Sequence, residues 1–340
     1  MFSPAPLESL TAFCIGHAHD AQAGTGCTVV VAPEGAACGV DVRGGGPATR
    51  ETDLLRPENM IEAVHAVVLS GGSAFGLEAS CGVMDALAER GIGFSLGDAC
   101  VPIVVGACLF DLLVGAPAHP DKAMGRLAAE NALAARAGGG TGAPLAQGNV
   151  GAGCGATVGK LGAPKRAMKS GFGWACLRAG DVVAAALVAV NALGCVRDGD
   201  GTWVAGVRDG AGKVMDPLAA LAASPLAAAA AGAGDVANAA AGAAGPCENT
   251  TIGVVLTNAQ LTKAQATKVS STVHDAYARA IKPVHTQNDG DTVFTFASGD
   301  APAATDVVAM LATEAMQQAI VSGVRHAEAA FGLPAARDVA

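Results

Sequence analysis

The chain has 340 residues, a net charge of −9 and 51% hydrophobic residues, an excess made largely of alanine beside 46 glycines. This length can bury a substantial core without metals or disulfides. The acidic balance and the absence of Lys/Arg clusters argue against nucleic acid as a partner, because phosphate binding depends on concentrated positive charge.

The sequence predicts neither a membrane span nor a secretory signal. Its most apolar run, 182–196, is shorter than the roughly 20 residues of a transmembrane helix. The first six residues lack a basic segment followed by an apolar core, which favours a cytoplasmic protein. The ten cysteines are scattered without a Cys-x-x-Cys pair, so they are expected to be reduced and buried.

Predicted strands and helices are mixed along the first two thirds of the chain. Two β-like runs, 27–31 and 38–42, are interpreted as paired strands separated by turn residues. A strand at 65–69, a glycine turn and a helix over 75–89 follow, and a second helix is predicted over 121–137. Further β-like runs lie at 153–159, 170–178 and 181–190.

An Ala-rich and Gly-rich tract spans 217–246 and lacks apolar periodicity. It is interpreted as a mobile or partly disordered tether and not as a packed helix. Beyond it the pattern predicts strand, helix, strand and helix. The first of these helices should run from a capping box formed by Thr262 and Gln265 to about Ile281, and the second over 306–331.

The junction between Asn249 and Thr250 has the greatest chemical interest, because the small-residue tract stops there and a strand begins at a hydroxyl residue. If this bond were cut, Thr250 would gain an α-amino group with a pKa of about 7.7 to 8.0, able to act as base for its own hydroxyl. Two other interpretations remain. Asn-Thr-Thr can be an ordinary strand entry, or a glycosylation acceptor in a secreted chain.

Asp289 and Asp291 lie two residues apart, just before a predicted strand. Asp-Gly-Asp is most often a turn, since both residue types favour turn conformations. The functional alternative is that the two acids orient and stabilise a protonated α-amino group while a threonine hydroxyl attacks a carbonyl.

The glycine-rich run 151–161 resembles a phosphate-binding loop, but Leu161 stands where such a loop needs Ser or Thr. The glycines can instead let the backbone approach another strand and deliver Lys160 to a site, although a surface lysine is the default. Asn191 lies inside an apolar run, so its amide must be hydrogen-bonded. It is either a structural core amide or a donor to an oxyanion.

No metal site is predicted. His17 and His19 would share one face of a strand, but no third ligand is evident. A calcium loop around Asp289 would need further carboxylates in register and a terminal Glu.

Taken together, these residues resemble the DmpA-like family of peptidases, N-terminal-nucleophile hydrolases that include β-peptidyl aminopeptidases and the 6-aminohexanoate (nylon) oligomer endohydrolase. The similarity covers most of the chain, through 24–30, 42–45, 50–53, 69–79, the glycine-rich run ending at Lys160, and 249–252. The resemblance implies an α/β fold of the layered αββα type. It also implies an α chain, 1–249, and a β chain, 250–340, that stay associated.

The resemblance further implies roles for individual residues. Thr250 would be the nucleophile released by self-cleavage after Asn249, with Asp289 and Asp291 as acidic partners and Lys160 and Asn191 assisting the nucleophile and the oxyanion. Phe110 stands where relatives carry a tyrosine hydroxyl near the oxyanion, so Asn191 and backbone amides are expected to do more of that stabilisation. Glu78 could bind a substrate amine, or be a buried helix carboxylate satisfied by its neighbours. Neither a cofactor nor a metal is required.

The expected function is that of an aminopeptidase or amidase acting on short peptides or small amides through a threonine acyl-enzyme. Two enzymatic alternatives are an endo-acting hydrolase of 6-aminohexanoate oligomers and an acyltransferase similar to ornithine acetyltransferases. The non-enzymatic alternative is an uncleaved scaffold. The family resemblance suggests a homo-oligomer of cleaved heterodimers whose partner is a small substrate, with no nucleic acid and no membrane.

Overall fold

The computed structural model describes residues 2–137, 145–161, 164–223 and 249–339. The helices in these ranges are α1 (Ala79–Ala88), α2 (Lys122–Ala137), α3 (Pro217–Ala222), α4 (Lys263–Ala280) and α5 (Thr305–His326). The strands are β1 (Ser3–Pro4), β2 (Cys14–Asp20), β3 (Thr25–Val42), β4 (Ala48–Arg50), β5 (Val64–Ser70), β6 (Phe94–Leu96), β7 (Ala99–Val101), β8 (Val104–Cys108), β9 (Thr157–Val158), β10 (Met168–Lys169), β11 (Phe172–Ala179), β12 (Val182–Asn191), β13 (Cys195–Arg197), β14 (Trp203–Ala205), β15 (Thr250–Ala259), β16 (Ile281–Lys282) and β17 (Thr292–Ala301).

Two sheets share the long strand β3. The first has the order β1-β11-β12-β15-β17-β3, and the second the order β2-β3-β5-β8-β4. Strands β15 and β17 are parallel, with α4 as the connection between them, and β5 and β8 are also parallel. The neighbouring strands in the rest of both sheets are antiparallel.

Strand β3 corrects one prediction. The runs 27–31 and 38–42 are not paired with each other but are two parts of one strand. The first part pairs with β2 and β5, and the second pairs with β17. The turn residues between them do not reverse the chain. Gly35, with φ of 75°, lies where the register shifts between Val31 and Ala36, so it marks a change of partners and not a hairpin.

The molecule has four layers. Helices α4 and α5 cover the first sheet, and α1 and α2 cover the second. Separate apolar cores fill the space between each helix pair and its sheet, and a third lies between the sheets, where Phe294 and Phe296 of β17 share a cluster with Val67 and Leu69 of β5. The layered αββα prediction is confirmed.

Small residues allow the helices to lie close to the sheet. A Cβ added to Gly39 of β3 would lie 2.1 Å from the Thr267 nitrogen of α4, and one on Gly173 of β11 would lie 2.2 Å from the Ala319 oxygen of α5. Side chains at these points would push the layers apart, because protein interiors have little free volume. The Ala/Gly-rich composition therefore serves close packing of backbones.

Several predicted elements are confirmed, and three have different limits. The helix predicted over 75–89 begins at Ala79, after a 3-10 helix at Ser73–Glu78. The capping box at the start of α4 is present, since Thr262 Oγ1 accepts a hydrogen bond from the Gln265 N–H and Gln265 Oε1 accepts one from the Thr262 N–H. Helix α5 ends at His326 and not at Phe331, because Ala327 is already extended. Within 153–159, only Thr157–Val158 is a strand.

The start of the Ala/Gly tract is also more regular than predicted. Asp216 caps α3 by accepting hydrogen bonds from two backbone N–H groups, and Pro217 occupies the first turn, where a missing N–H costs nothing. The remainder of the predicted tether, 224–246, lies outside the described residues.

Among the described helices, α5 alone is long and apolar enough to cross a membrane, but 67% of its most apolar window is buried inside the protein. This is the pattern of a core helix. The described cysteines form no disulfides, and most of them are buried.

Candidate active site

Thr250 begins the central strand of the first sheet. It is 3% exposed and lies opposite Asn191, the last residue of β12. Beyond it β15 alternates between two cores. Ile252 and Val254 face the space between the sheets, whereas Val255 faces the helices. This two-sided burial fixes the register of the strand and therefore the position of its first hydroxyl.

One backbone N–H faces both the hydroxyl of Thr250 and the carbonyl that precedes it. The Gly290 nitrogen is 3.1 Å from Thr250 Oγ1 and 3.2 Å from the Asn249 oxygen, and the hydroxyl itself donates to that oxygen. Negative charge formed on either oxygen would meet this donor. The arrangement can therefore stabilise an oxyanion at the Asn249–Thr250 bond.

Glycine is required at position 290 by space. An added Cβ would lie 2.8 Å from Thr250 Oγ1 and 2.9 Å from the Gly46 oxygen. The segment after β3 packs over this turn, and Gly46 N–H donates to the Asp289 carbonyl at 2.8 Å. The turn is thus fixed between the start of β15 and the end of β3.

Both predicted carboxylates are buried beside the start of β15. Asp289 bridges Asn249 in a short parallel pairing, and its Oδ2 accepts the Thr286 N–H at 2.7 Å. Burial first, and then the charge of Asp291, raise the pKa of Asp289 to about 6, while its own hydrogen bonds and Lys160 act in the opposite direction. Asp289 therefore holds its proton up to nearly neutral pH.

Asp291 has a denser set of donors. Its Oδ1 accepts the Thr251 N–H at 2.7 Å, and its Oδ2 accepts the His285 N–H at 3.1 Å and lies 2.9 Å from His285 Nδ1. These contacts fix the carboxylate next to the nucleophile. His285 was not among the predicted site residues. Its position six residues before Asp291 was the available signal, but its role depends on a backbone conformation that the sequence does not reveal.

Lys160 and Asn191 form a buried pair. The Lys160 ammonium donates to Asn191 Oδ1 at 2.8 Å and to Thr157 Oγ1 at 3.2 Å. Asn191 Nδ2 donates to the Phe110 carbonyl at 2.8 Å, and its Oδ1 also accepts the Thr157 N–H. The amide plane of Asn191 is thereby fixed on both sides.

The glycine-rich run reaches Lys160 by a close backbone approach. Gly159 has φ of 77°, and a Cβ there would lie 1.9 Å from the Gly206 carbonyl carbon. The N–H groups of Gly159 and Lys160 donate to carbonyls at 194 and 193, just after β12. Lys160 is 6% exposed, so the default of a surface lysine is wrong.

The structure also places a second buried lysine that sequence reasoning missed. The Lys169 ammonium donates to the carbonyls of Gly153, Ala156 and Ser170 and is fully buried. Burial lowers the pKa of Lys169 to about 7. It holds the loop that leads to Thr157 and Lys160.

Phe110 contributes its backbone carbonyl to the site, where it accepts a hydrogen bond from Asn191 Nδ2.

Glu78 does not lie at the site. Its side chain is 52% exposed, with its carboxylate 3.7 Å from His119 Nε2, so the alternative of a buried helix carboxylate is wrong. In the described part of the chain, no hydrogen bond or ion pair links Glu78 to the group around Thr250.

The described residues contain no cluster of His, Cys, Asp and Glu able to hold a metal. His17 is a partly buried residue of β2, with Nδ1 2.9 Å from Thr28 Oγ1. Burial and the neighbouring His19 lower the pKa of His17 to about 4.

Comparison with known proteins gives consistent matches along the chain. The profile of peptidase family S58 matches residues 11–336. An uncharacterised aminopeptidase of Mycobacterium leprae is 39% identical over 97% of this chain and 93% of that protein. The 6-aminohexanoate-oligomer endohydrolase of Paenarthrobacter ureafaciens is 33% identical over 82% of this chain and 71% of that protein.

Solved structures support the fold. The L-aminopeptidase D-Ala-esterase/amidase of Ochrobactrum anthropi, described as a variant of the Ntn-hydrolase fold, has a TM-score of 0.65 at 17% identity, with 96% of this chain and 88% of that one covered. A β-aminopeptidase of Burkholderia sp. has a TM-score of 0.63 at 18% identity, with 96% and 89% covered.

Proposed function

Since this chain belongs to peptidase family S58 and is an amidohydrolase, we propose that Thr250 is its nucleophile and that the chain frees this residue by cutting its own Asn249–Thr250 bond. The observation that carries the proposal is the Gly290 N–H, which faces both the Thr250 hydroxyl and the Asn249 carbonyl.

Self-cleavage would proceed by an N-to-O acyl shift. Thr250 Oγ1 attacks the Asn249 carbonyl carbon, and the developing oxyanion accepts the Gly290 N–H. The C–N bond then breaks, the Thr250 nitrogen takes up a proton, and an ester joins Asn249 to the hydroxyl oxygen. Water hydrolyses this ester, leaving a carboxylate on Asn249 and a free amine on Thr250.

In turnover the free amine of Thr250 takes the hydroxyl proton while Oγ1 attacks a substrate amide. The amide nitrogen leaves with a proton, and water releases the acyl group. Lys160 supports the base, because a nearby positive charge disfavours protonation of an amine. The buried carboxylates stabilise the ammonium form when it appears.

The substrate class follows from the named relatives. We propose exo-acting hydrolysis of short peptides or small amides that carry a free amine, as the name aminopeptidase implies for the mycobacterial relative. The second candidate is endo-hydrolysis of 6-aminohexanoate oligomers, which the 33% identity to such an enzyme favours. N-acetylated oligomers separate the two, because only an endo-acting enzyme cleaves them. Acetyl transfer to ornithine tests the acyltransferase alternative in the same assay.

The proposal extends to the state of the protein in the cell. We propose a cytoplasmic homo-oligomer of cleaved heterodimers, on the basis of the resemblance to the DmpA-like family. Size-exclusion chromatography with light scattering measures the number of copies.

Intact-protein mass spectrometry under denaturing conditions tests the central claim. We expect two fragments that split between Asn249 and Thr250, a single unbroken chain for Thr250→Ala, and cleavage in Thr250→Ser, which keeps a hydroxyl. An unbroken parent chain that still hydrolyses amides would overturn the assignment of the nucleophile.

A further inference from the structure

Two of the three described donors to the Asp291 carboxylate come from a single residue. His285 presents both its backbone N–H and its ring Nδ1 to Oδ2, and the Thr251 N–H occupies Oδ1. Both groups of His285 can reach the same oxygen because its backbone has φ of 56°, a conformation that residues other than glycine rarely adopt. A non-glycine residue in this region signals a functional constraint more often than chance.

The contacts of the ring fix where its proton lies. A carboxylate only accepts hydrogen bonds, so Nδ1 must carry a hydrogen directed at Asp291. Nε2 is buried and has no partner among the described residues. The ring is stacked on Tyr277 at 5.9 Å and lies edge-on to His274 at 4.7 Å, both from α4. This packing holds the imidazole in the plane that serves Asp291.

The other acid of the pair has fewer donors. Asp289 accepts hydrogen bonds from the Thr286 N–H and the Thr286 hydroxyl, and no imidazole of the described residues donates to it. A carboxylate is stabilised in its charged form by the hydrogen bonds that it accepts. The three donors of Asp291 therefore give its negative charge more support than the two donors of Asp289 give to the charge of that residue.

We propose that His285 is a positioning residue that fixes the Asp291 carboxylate beside the start of β15 and stabilises its negative charge there. This inference rests on the proposed function, in which Asp291 stabilises the amine of Thr250. The sequence assigns no role to His285, and the family comparison names none.

Other ionisable groups around His285 also influence the pair. The ionisable groups that face His285, or a residue in contact with His285, come from several elements. They are His274 and Tyr277 of α4, Asp289, Asp291, Lys160, and Asp41 and Arg43 at the end of β3. Burial lowers the pKa of His274 to about 4, and its Nε2 donates to the Asp41 carbonyl. His274 is therefore neutral near neutral pH and adds no positive charge beside the carboxylate pair.

Loss of the Nδ1 donor should change the pH dependence of activity in one direction. The negative charge of the carboxylate pair loses one of the hydrogen bonds that stabilise it, so less acid is needed to discharge the pair. Activity that needs the charged form is then lost earlier as the pH falls. The acid limb of the pH–rate profile moves to higher pH, whereas a purely structural change would lower the whole profile and leave its limbs in place.

Three variants test the inference on the cleaved enzyme. His285→Asn keeps an N–H donor at the same distance from the backbone as Nδ1 and tolerates positive φ. His285→Leu has a similar shape without a donor, and His285→Gly removes the donor without backbone strain. We expect Leu and Gly to move the acid limb of kcat/KM upward by about one pH unit, which is about ten-fold less activity below the limb. The Asn variant should keep the parent limb.

Two outcomes would overturn the inference. One is an acid limb at the parent's pH in both His285→Leu and His285→Gly. The other is an acid limb in His285→Asn that moves as far as it does in the Leu and Gly variants. If His285→Leu does not fold, as shown by its thermal unfolding, the Gly variant provides the comparison. Failure of the proposed function looks different, because the parent chain itself would then be uncleaved by mass spectrometry or active as Thr250→Ala.

Discussion

At the scale of single residues, the contact between Gly290 and Thr250 makes a sharp prediction. Gly290→Ala places a methyl group 2.8 Å from the hydroxyl that is proposed to attack, so it should block approach to the Asn249 carbonyl. Relief of this clash would also move the residue 290 N–H away from both oxygens. We therefore expect self-cleavage to slow by at least about 100-fold, the size of effect seen when an oxyanion donor is lost. The fraction of uncleaved chain over time, read by denaturing gel, measures this.

Gly210→Ala is the matched control for that variant. A Cβ at Gly210 would meet no atom of the described residues within 4 Å, and its φ is not positive. It should cleave as the parent does. Normal cleavage in Gly290→Ala would contradict the close approach of Gly290 to the attacking hydroxyl.

Among the elements, α4 offers a test that separates stability from catalysis. Thr262→Ala removes the side chain that accepts the Gln265 N–H, and loss of such a cap costs about 1 kcal/mol of stability. The free energy of unfolding in urea should fall by this amount with kcat unchanged, because the cap lies at the far end of β15 from Thr250. A fall in kcat at unchanged stability would show that the cap affects the site.

The elements also show what the sequence could and could not predict. The start of α4 was predictable because a capping box is local chemistry, and β5 and β12 because their apolar runs are buried on both faces. The course of β3 was not, since its two parts take partners far apart in the chain. A turn signal in the sequence cannot distinguish a reversal from a bulge between two sheets.

The candidate site divides in the same way. The residues Thr250, Asp289 and Asp291 stand out by type and order, and the structure brings them together at the start of β15. The contributions of Gly290 and His285 depend on a backbone N–H and on a positive φ. Neither property is specific to a sequence pattern, so these two residues emerge only from the fold.

At the scale of the whole molecule, cleavage would leave the two chains interleaved. The proposed β chain, 250–340, contributes β15 and β17 to the first sheet. These two strands lie between β12 and β3, which belong to the proposed α chain, 1–249. Separation would break the hydrogen bonds along both boundaries and expose apolar cores shared by the two chains. We therefore expect the fragments to co-elute in size-exclusion chromatography without denaturant and to unfold in one transition.

The measurement is chromatography across a urea series, with each fraction identified by mass. If the two fragments elute separately at a urea concentration at which the circular dichroism is still that of the folded protein, a shared core would be contradicted. A useful comparison is Thr250→Ala, in which the covalent link remains and the transition should not depend on protein concentration.

The burial of Thr250 has a consequence beyond chemistry. A new amino terminus is the end of a chain that acetylating enzymes modify, exopeptidases trim and cellular degradation systems read. Here that end would be 3% exposed at the start of a central strand. Cleavage would therefore create a new amino terminus that is not accessible to these enzymes. Modification of this terminus in a cell would indicate that the protein had unfolded at least locally.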